Sequence, residues 1–265
     1  MLHKAVDCSS TFHRMAHSPY PVVLPPPRRL PTNLTRQFTI DGKCPITQFW
    51  YFDDSPSSNK FAQRLFDAQS FRNLRVRDKM KNVNIYEDKN VLKPALIKHR
   101  RLIDGKRVAV IGTQIPWAEA MLVNLGASSI TTIEYANLVI EHQKVTTITP
   151  YRVAELFMSD QAVPFDTVFT YSSLEHSGLG RYGDPLSPFG DLEASAQVWC
   201  MVKPGGHFIL AVPVSSDREN CSIMWNSLRI YGSVRLQHLT ANWRVLEEFE
   251  SRDYWKHRIY VLQKV

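Results

Sequence analysis

Short apolar runs alternate with segments of helical periodicity through the second half of this chain. Residues 108–111 are an apolar run that stops at Gly112, and a helical segment spans 117–125. A second β-rich run, residues 129–133, ends at the acidic Glu134. This order predicts a strand, a turn, a helix and a second strand with a carboxylate at its tip.

The alternation continues toward the carboxyl terminus. The pattern predicts helices at 149–160 and 192–202, and strands at 146–148, 166–171, 207–214, 230–236 and 258–263. Strands that alternate with helices indicate an α/β fold with a Rossmann-like, doubly wound and mostly parallel sheet. Ligands of such folds bind beyond the carboxyl ends of the strands, so we expect Gly112, Glu134 and residues 171–173 to converge.

The amino-terminal part of the chain has a different composition. Residues 1–35 are rich in Pro, His, Ser and Arg, which predicts a disordered, proline-rich arm. Residues 36–106 predict a helical and aromatic lead-in, in which 45–54 form a short strand or an aromatic lid and 57–70 an amphipathic helix. Residues 107–265 then form the Rossmann-like domain.

The turn after the first core strand indicates which cofactor fits. A dinucleotide fingerprint needs glycines in the pattern G-x-G-x-x-G, but after Gly112 the second and third positions are Gln114 and Trp117. Because a side chain at Gln114 obstructs a pyrophosphate, a cofactor without phosphates is favoured, and S-adenosylmethionine is such a molecule. Gly112 precedes Glu134 by 22 positions, close to the spacing of about 20 expected for an acid that binds ribose hydroxyls. The alternative is purely structural, since any buried parallel strand can end in Gly or Glu.

A long polar loop, residues 171–191, follows the predicted 166–171 strand, and connections of this length usually have a functional reason. We expect His176 to act as general base, because imidazole titrates near neutral pH, with Glu175 and Asp184 as further acid–base groups. The alternative for His176 is packing or capping of the loop. A site for a hard divalent cation is a further alternative, and its ligands would be Glu175, His176, Asp184 and Asp191. Because spacing alone does not support such a site, no metal is predicted.

The composition of 265 residues is that of a globular enzyme, with 44% hydrophobic residues and a formal net charge of +7. Much of the positive charge lies in residues 72–106 and is compatible with nucleic acid or an anionic membrane surface, although a solvated helix face is favoured. No apolar window is long enough for a membrane span and no signal-peptide pattern is present, which predicts a cytoplasmic protein by default.

The cysteines, Cys8, Cys44, Cys200 and Cys221, are widely spaced and include no C-x-x-C pair. Four cysteines would permit two disulfides, but nothing in the spacing requires them. Cys200 lies in an apolar helical stretch, where we expect a small buried hydrophobic side chain.

Three segments together resemble a known family. They are VIGTQIPWAEAMLVNLGASSITTIEY, FDTVFTYSSLEHSGLGRYGDPL and VKPGGHFILAVPV. They resemble the nematode-rich, uncharacterised family called domain of unknown function 268, which looks like a divergent branch of the class I S-adenosylmethionine-dependent methyltransferases. The resemblance covers roughly residues 36–265 and implies a seven-stranded sheet whose last strand is antiparallel.

The resemblance also implies roles for individual residues. The cofactor would lie against the glycine turn, the ribose acid and the loop after the fourth strand; these residues are Gly112, Thr113, Gln114, Glu134, Tyr135, Ser172 and Ser173. The usual glycine-rich core is reduced here to Gly112. The loop after the fourth strand also holds Glu175 and His176.

The sequence therefore favours an S-adenosylmethionine-dependent methyltransferase acting on a hydroxyl group of a glycan or small molecule. Two alternatives stay open. The reduced glycine motif is compatible with a non-catalytic binding or scaffold protein, and the basic segment with an RNA or protein methyltransferase. An NAD-linked oxidoreductase is disfavoured by Gln114 and Trp117.

Overall fold

The computed structural model describes residues 3–16, 25–55, 64–79, 91–251 and 256–265. Its α-helices are α1 Cys8–Ala16, α2 Thr35–Phe38, α3 Ala68–Lys79, α4 Leu92–Lys98, α5 Trp117–Asn124, α6 Pro150–Met158, α7 Gly190–Met201 and α8 Ser233–Leu239. Its strands are β1 Ile46–Phe49, β2 Arg64–Phe66, β3 Arg107–Ile111, β4 Ser129–Ile133, β5 Leu138–Ile140, β6 Val145–Ile148, β7 Phe165–Tyr171, β8 Val202–Pro213, β9 Ser222–Trp225, β10 Leu228–Ile230, β11 Trp243–Glu250 and β12 His257–Lys264. None of the helices within these ranges is long and apolar enough to cross a membrane.

A seven-stranded sheet forms the centre of the molecule, in the order β11-β12-β8-β7-β3-β4-β6. The pairs among β8, β7, β3, β4 and β6 are parallel, whereas β12 is antiparallel to both β8 and β11. One strand therefore runs against six, which confirms the predicted Rossmann-like, mostly parallel sheet with an antiparallel last strand.

The central strands are apolar because helices cover both faces of the sheet. Successive side chains of β3 alternate between two clusters, with Val108 and Val110 packed against α5 and Ala109 packed on the opposite face. β7 is buried over almost its whole length. This double burial explains why short continuous apolar runs identified the core strands.

The carboxyl-terminal tail departs from the sequence prediction. The expected strand at 230–236 is wrong, because β10 ends at Ile230 and residues 233–239 form α8. The missing strand is β11, most of whose side chains are exposed on the edge of the sheet. Its charged residues remove the apolar signal of a buried strand, whereas the predicted strand at 258–263 is confirmed within β12.

The lead-in forms two smaller sheets. β1 pairs in parallel with β9, which pairs with β10, and this confirms the strand alternative for part of 45–54. The helix predicted at 57–70 is wrong at 64–66, which form β2 and pair with β5; α3 begins only at Ala68, and 56–63 lie outside the described residues. The basic residues of 72–79 lie on α3, where most side chains are exposed, and the rest of that basic stretch up to residue 90 is not described.

Two disulfides join the amino-terminal segment to the core. Cys8 of α1 pairs with Cys200 of α7, and Cys44 pairs with Cys221, so all four cysteines are used. The expectation that Cys200 is a free, buried hydrophobic side chain is therefore wrong. The disordered arm predicted at 1–35 is also wrong for 8–16, because Phe12 is buried and α1 packs on α6 and α7.

Candidate active site

The carboxyl ends of β3, β4 and β7 open into one cavity of about 730 Å³, a volume within the range of small-molecule sites. Every residue predicted for the site lines this cavity except Glu175. The predicted residues that line it are Gly112, Thr113, Gln114, Glu134, Tyr135, Ser172, Ser173, His176 and Asp184. The cavity lies where the switch-point rule places the ligands of a parallel sheet.

The turn after β3 depends on the absence of a side chain at Gly112. Its φ is +75°, a left-handed conformation that favours glycine. A Cβ there would lie 2.0 Å from Ser173 Oγ and 2.7 Å from Ser173 Cβ. Gly112 therefore allows the β3 turn and the loop after β7 to meet at the floor of the cavity.

Glu134 holds the same turn from the tip of β4. Its Oε2 accepts a hydrogen bond of 2.7 Å from the Thr113 N–H, and its Oε1 accepts from the N–H groups of Tyr135 and Ala136 at 2.7 and 3.3 Å. Burial raises the pKa of Glu134, although these N–H groups oppose the shift. Each oxygen has more than one lone pair, so the carboxylate can hold the turn and still accept from a hydroxyl of a ligand in the cavity.

A buried carboxyl lies behind the turn and has no counterpart in the sequence prediction. Glu119 of α5 accepts hydrogen bonds from the hydroxyls of Thr113 and Thr132 at 2.7 and 2.8 Å, and it is fully buried. Burial raises its pKa despite these two donors. A single Glu on an otherwise apolar helix is typical of a solvent-exposed position, so only the packing of the folded chain shows that Glu119 is buried behind the turn.

The loop after β7 begins with a tight turn that buries Glu175. Ser172 has a φ of +49°, and its hydroxyl donates to Glu175 Oε1 at 2.6 Å. The same oxygen lies 3.7 Å from His176 Nε2 and 3.9 Å from His257 Nε2. Burial favours the neutral acid, but these neighbours outweigh it and lower the pKa of Glu175. Glu175 thus lies behind the cavity wall, beside the histidine that faces the cavity.

The second nitrogen of His176 is held by the backbone. Nδ1 lies 2.5 Å from the carbonyl oxygen of Ser227, which is an acceptor only. Nδ1 must therefore carry the hydrogen in the neutral ring, which leaves the Nε2 lone pair free to accept a proton. Burial lowers the pKa of His176, and the adjacent Glu175 carboxylate opposes this shift. This is the tautomer that a general base requires.

Asp184 organises the loop from within. One oxygen accepts from the N–H groups of Gly178 and Gly180 at 2.6 and 3.1 Å, and the other accepts from the Tyr182 N–H at 3.2 Å. Burial raises its pKa against these three donors. Although Asp184 borders the cavity, its contacts support a structural role, and its acid–base role stays a prediction.

An arginine that the sequence analysis did not single out fixes the other end of the loop. Arg229 of β10 is fully buried and donates to the carbonyl oxygens of Ser177 at 2.6 Å, Glu175 at 3.3 Å and Ser187 at 3.4 Å. It was missed because β10 follows the loop by some forty residues and carries no motif.

Asp191 belongs to the same buried cluster. Its Oδ2 accepts from Arg235 Nε at 2.7 Å and from the Tyr231 hydroxyl at 2.9 Å. These contacts occupy a carboxylate that the metal alternative would need. Across the described ranges, no three His, Cys, Asp or Glu side chains are grouped so as to hold a metal ion.

The amino-terminal segment completes the cavity. Thr11, Phe12 and Met15 of α1 are among its lining residues. Arg64 of β2 donates to the carbonyl oxygen of Gln114 at 3.0 Å and so contacts the β3 turn from outside the core. Neither contribution could be read from the sequence, because both depend on how distant segments pack.

Comparison with solved structures supports the fold. The chain is similar to a Burkholderia thailandensis 1,6-didemethyltoxoflavin-N1-methyltransferase solved with S-adenosylhomocysteine, with 16% identity, a TM-score of 0.51, and coverage of 66% of this chain and 78% of that one. It is also similar to an O-methyltransferase family protein from the same organism, with 10% identity, a TM-score of 0.46, and coverage of 80% and 63%. At 16% identity the first likeness shows the Rossmann-like fold alone, and no argument rests on the second.

Comparison with sequences identifies the family. No curated protein matches the chain. The family described as Caenorhabditis protein of unknown function, DUF268, matches residues 105–263, which span the central sheet from the start of β3 to all but the last residue of β12. The chain therefore belongs to the DUF268 family.

Proposed function

We propose that this protein is an S-adenosylmethionine-dependent methyltransferase that methylates a hydroxyl group of a glycan or small molecule, with His176 as general base. The observation that carries the proposal is the position of His176, which lines the cavity and whose Nδ1 lies 2.5 Å from the Ser227 carbonyl oxygen. A structural neighbour with a TM-score of 0.51 is itself a methyltransferase solved with S-adenosylhomocysteine, which supports the choice of cofactor.

The residues around the cavity fit this cofactor. The close approach of Gly112 to Ser173 lets the backbone of the turn come near a ligand in the cavity, and a turn without the further glycines of a dinucleotide fingerprint suits a methionine moiety better than a pyrophosphate. Glu134 is the acceptor for the ribose hydroxyls, and Tyr135 lies next to it on the nucleoside side. Ser172 and Ser173 at the end of β7 would contact the methionine part.

When bound, S-adenosylmethionine supplies a methyl group on a sulfonium sulfur, and that sulfur leaves with the electron pair of the broken C–S bond. The protein holds the acceptor hydroxyl in line with that bond, which accounts for most of the acceleration. Nε2 of His176 takes the hydroxyl proton as the new C–O bond forms. A positioned base contributes on the order of 10² to 10⁴ in rate.

Calorimetric titration with S-adenosylhomocysteine tests the cofactor half of the proposal. We expect saturable binding to the wild-type protein and loss of binding in Glu134→Ala. The matched control is Glu155→Ala, because Glu155 is an exposed carboxylate of α6 that pairs with Arg152 of the same helix. Absence of binding to folded wild-type protein would reject the methyltransferase and favour the non-catalytic alternative.

Turnover with a screened acceptor tests the catalytic half. We expect His176→Gln to reduce kcat by about 10² to 10⁴ while the affinity for S-adenosylhomocysteine stays at the wild-type value. Full activity of His176→Gln would remove the base assignment. If RNA were methylated instead, with steeply salt-dependent binding, the acceptor class would be wrong.

A further inference from the structure

Helix α1 lies outside the part of the chain that matches the family, yet it borders the cavity. We propose that α1 is the wall of the cavity that covers the adenine ring of the cofactor, and that the Cys8–Cys200 disulfide keeps this wall docked. The inference rests on the proposed function, since it assigns one end of the same cavity to the nucleoside.

The position of α1 identifies the end of the cavity that it covers. Glu134 marks the ribose, and the chain continues to Tyr135, whose ring meets that of Tyr151 edge to face at 5.9 Å between centroids. Tyr151 belongs to the first turn of α6, against which α1 packs. The α1 side therefore lies beyond the ribose.

The side chains that α1 contributes suit a purine ring. Thr11, Phe12 and Met15 line the cavity, and the Phe12 ring also packs at a tilt of 34° against Phe157 of α6, with 4.5 Å between ring centroids. A thioether and an aromatic ring give favourable contacts to a flat aromatic ligand, and a hydroxyl can bond to its polar edge.

The disulfide adds a covalent anchor to the packing of this short helix. The helix has nine residues, too few for a stable isolated helix in water, and it is held by the buried Phe12 and by its packing on α6 and α7. On its amino-terminal side, the Lys4 backbone and the Asn242 side chain exchange hydrogen bonds of 2.7 and 2.8 Å. The Cys8–Cys200 bond adds a direct link to α7, which borders the same cavity.

If the disulfide is absent, α1 will spend part of its time undocked, and the apparent Kd rises as the inverse of the docked fraction. A helix docked roughly a tenth of the time would weaken binding about tenfold. The second disulfide offers a matched control, because Cys44 and Cys221 also join the amino-terminal part of the chain to the core, but they lie next to β1 and β9, which contribute no lining residue, whereas α1 and α7 both line the cavity.

The experiment is a calorimetric titration with S-adenosylhomocysteine of oxidised wild-type protein and two double variants. We expect Cys8→Ser/Cys200→Ser to bind about tenfold more weakly, and Cys44→Ser/Cys221→Ser to bind as the wild type does. Thermal unfolding of each variant shows that the comparison is made on folded protein.

A second pair of variants keeps both disulfides and tests the wall directly. Thr11→Trp places an indole on the cavity side of α1, whereas Ser9→Trp places one at an exposed position of the same helix. We expect Thr11→Trp to abolish binding and Ser9→Trp to preserve it. If the Cys8→Ser/Cys200→Ser protein does not fold, this pair of tryptophan variants still tests whether α1 is the cavity wall that covers the cofactor.

The outcomes separate this inference from the proposed function. Wild-type protein that does not bind S-adenosylhomocysteine rejects both. Binding by the wild type that neither Cys8→Ser/Cys200→Ser nor Thr11→Trp weakens would overturn the role of α1 and leave the methyltransferase proposal intact. Equal weakening by both cysteine pairs also overturns it, since it would reflect general destabilisation.

Discussion

Gly112 is the residue at which the fold and the proposed site constrain each other most closely. Gly112 and Gly105 have nearly the same backbone conformation, with φ of +75° and +70°, but a Cβ at Gly105 would have no heavy atom within 4 Å. We expect Gly105→Ala to cost about 1–2 kcal/mol of unfolding free energy, from the left-handed backbone alone. Gly112→Ala should cost about 1–3 kcal/mol more, from overlap with Ser173. Urea unfolding of the two variants measures the difference.

The Ser173 side chain, with which a Cβ at Gly112 would overlap, can be removed by a second substitution. Ser173→Gly takes away the Oγ and Cβ atoms that a Cβ at Gly112 would meet. In the double variant Gly112→Ala/Ser173→Gly we therefore expect the excess cost over Gly105→Ala to disappear, as a favourable coupling in a double-mutant cycle. Strictly additive effects of the two substitutions would mean that the close approach is not what requires glycine.

The pKa of His176 is a second property of a single residue that can be measured. Burial lowers it from the ordinary value of 6.5, and Glu175 and Asp184 oppose the shift while Arg181 reinforces it. The unfolded chain then binds this proton at higher pH than the folded chain, so stability is lost as pH falls below about 6.5. Above the lowered pKa the ring is neutral and can act as base. NMR titration, with His176→Gln to assign the resonance, should give a value below 6.5; a higher value would contradict the prediction.

Individual residues differ in how far the sequence reveals them. Gly112 and Glu134 could be predicted because each follows an apolar strand and the spacing between them has a chemical meaning. Glu119 and Arg229 could not, since their importance comes from burial among groups distant in sequence. The sequence also could not show that the Asp184 carboxylate accepts hydrogen bonds from backbone N–H groups of its own loop.

At the scale of elements, the strength of the hydrophobic signal follows burial. β3 and β7 are covered on both faces and were predicted nearly to the residue, whereas the edge strand β11 is mostly exposed and was missed. The helix–strand ambiguity at 64–66 has a different origin. β2 has three residues and is defined by its pairing with β5, which local periodicity cannot show.

Arg229 of β10 holds the loop at 172–191 by donating hydrogen bonds to its carbonyl oxygens, so replacing this arginine should loosen the loop. Arg229→Met would remove one of the two cationic partners of Asp191, and it would remove the arginine donor from the carbonyl oxygens of Ser177 and Glu175. We expect a loss of about 3–5 kcal/mol in unfolding free energy, because a buried ion-pair network loses a member and buried carbonyl oxygens lose a donor. Hydrogen exchange should become faster at the amides of 174–190.

The control for that prediction is Arg244→Met, because Arg244 lies on β11 and is exposed. Its effect should stay within about 0.5 kcal/mol. If Arg229→Met unfolded at the same urea concentration as Arg244→Met, the loop would be held by its own turns and glycines, not by β10.

At the scale of the whole molecule, the amino-terminal segment is part of the functional unit. Composition separates residues 1–35 from the core, because proline-rich stretches rarely pack. The structure nevertheless joins both Cys8 and Cys44 to the core and places α1 at the cavity. Disulfide pairing depends on proximity in the folded chain, so the cysteine spacing could not predict it.

The two disulfides weigh against the cytoplasmic expectation and lead to a test on the intact protein. Such bonds persist mainly in oxidising compartments. They span 192 and 177 residues, and in the chain-entropy description each bridge over such a loop contributes about 5 kcal/mol by restricting the unfolded state. We expect native, unreduced protein to alkylate at no cysteine, and reduced protein to alkylate at four and unfold at a clearly lower temperature. Alkylation at all four positions before reduction, with an unchanged unfolding temperature, would show that the bridges do not form. The chain would then be compatible with a reducing compartment, and α1 would be held at the cavity without a covalent link, by its packing on α6 and α7 and by the Lys4–Asn242 contact.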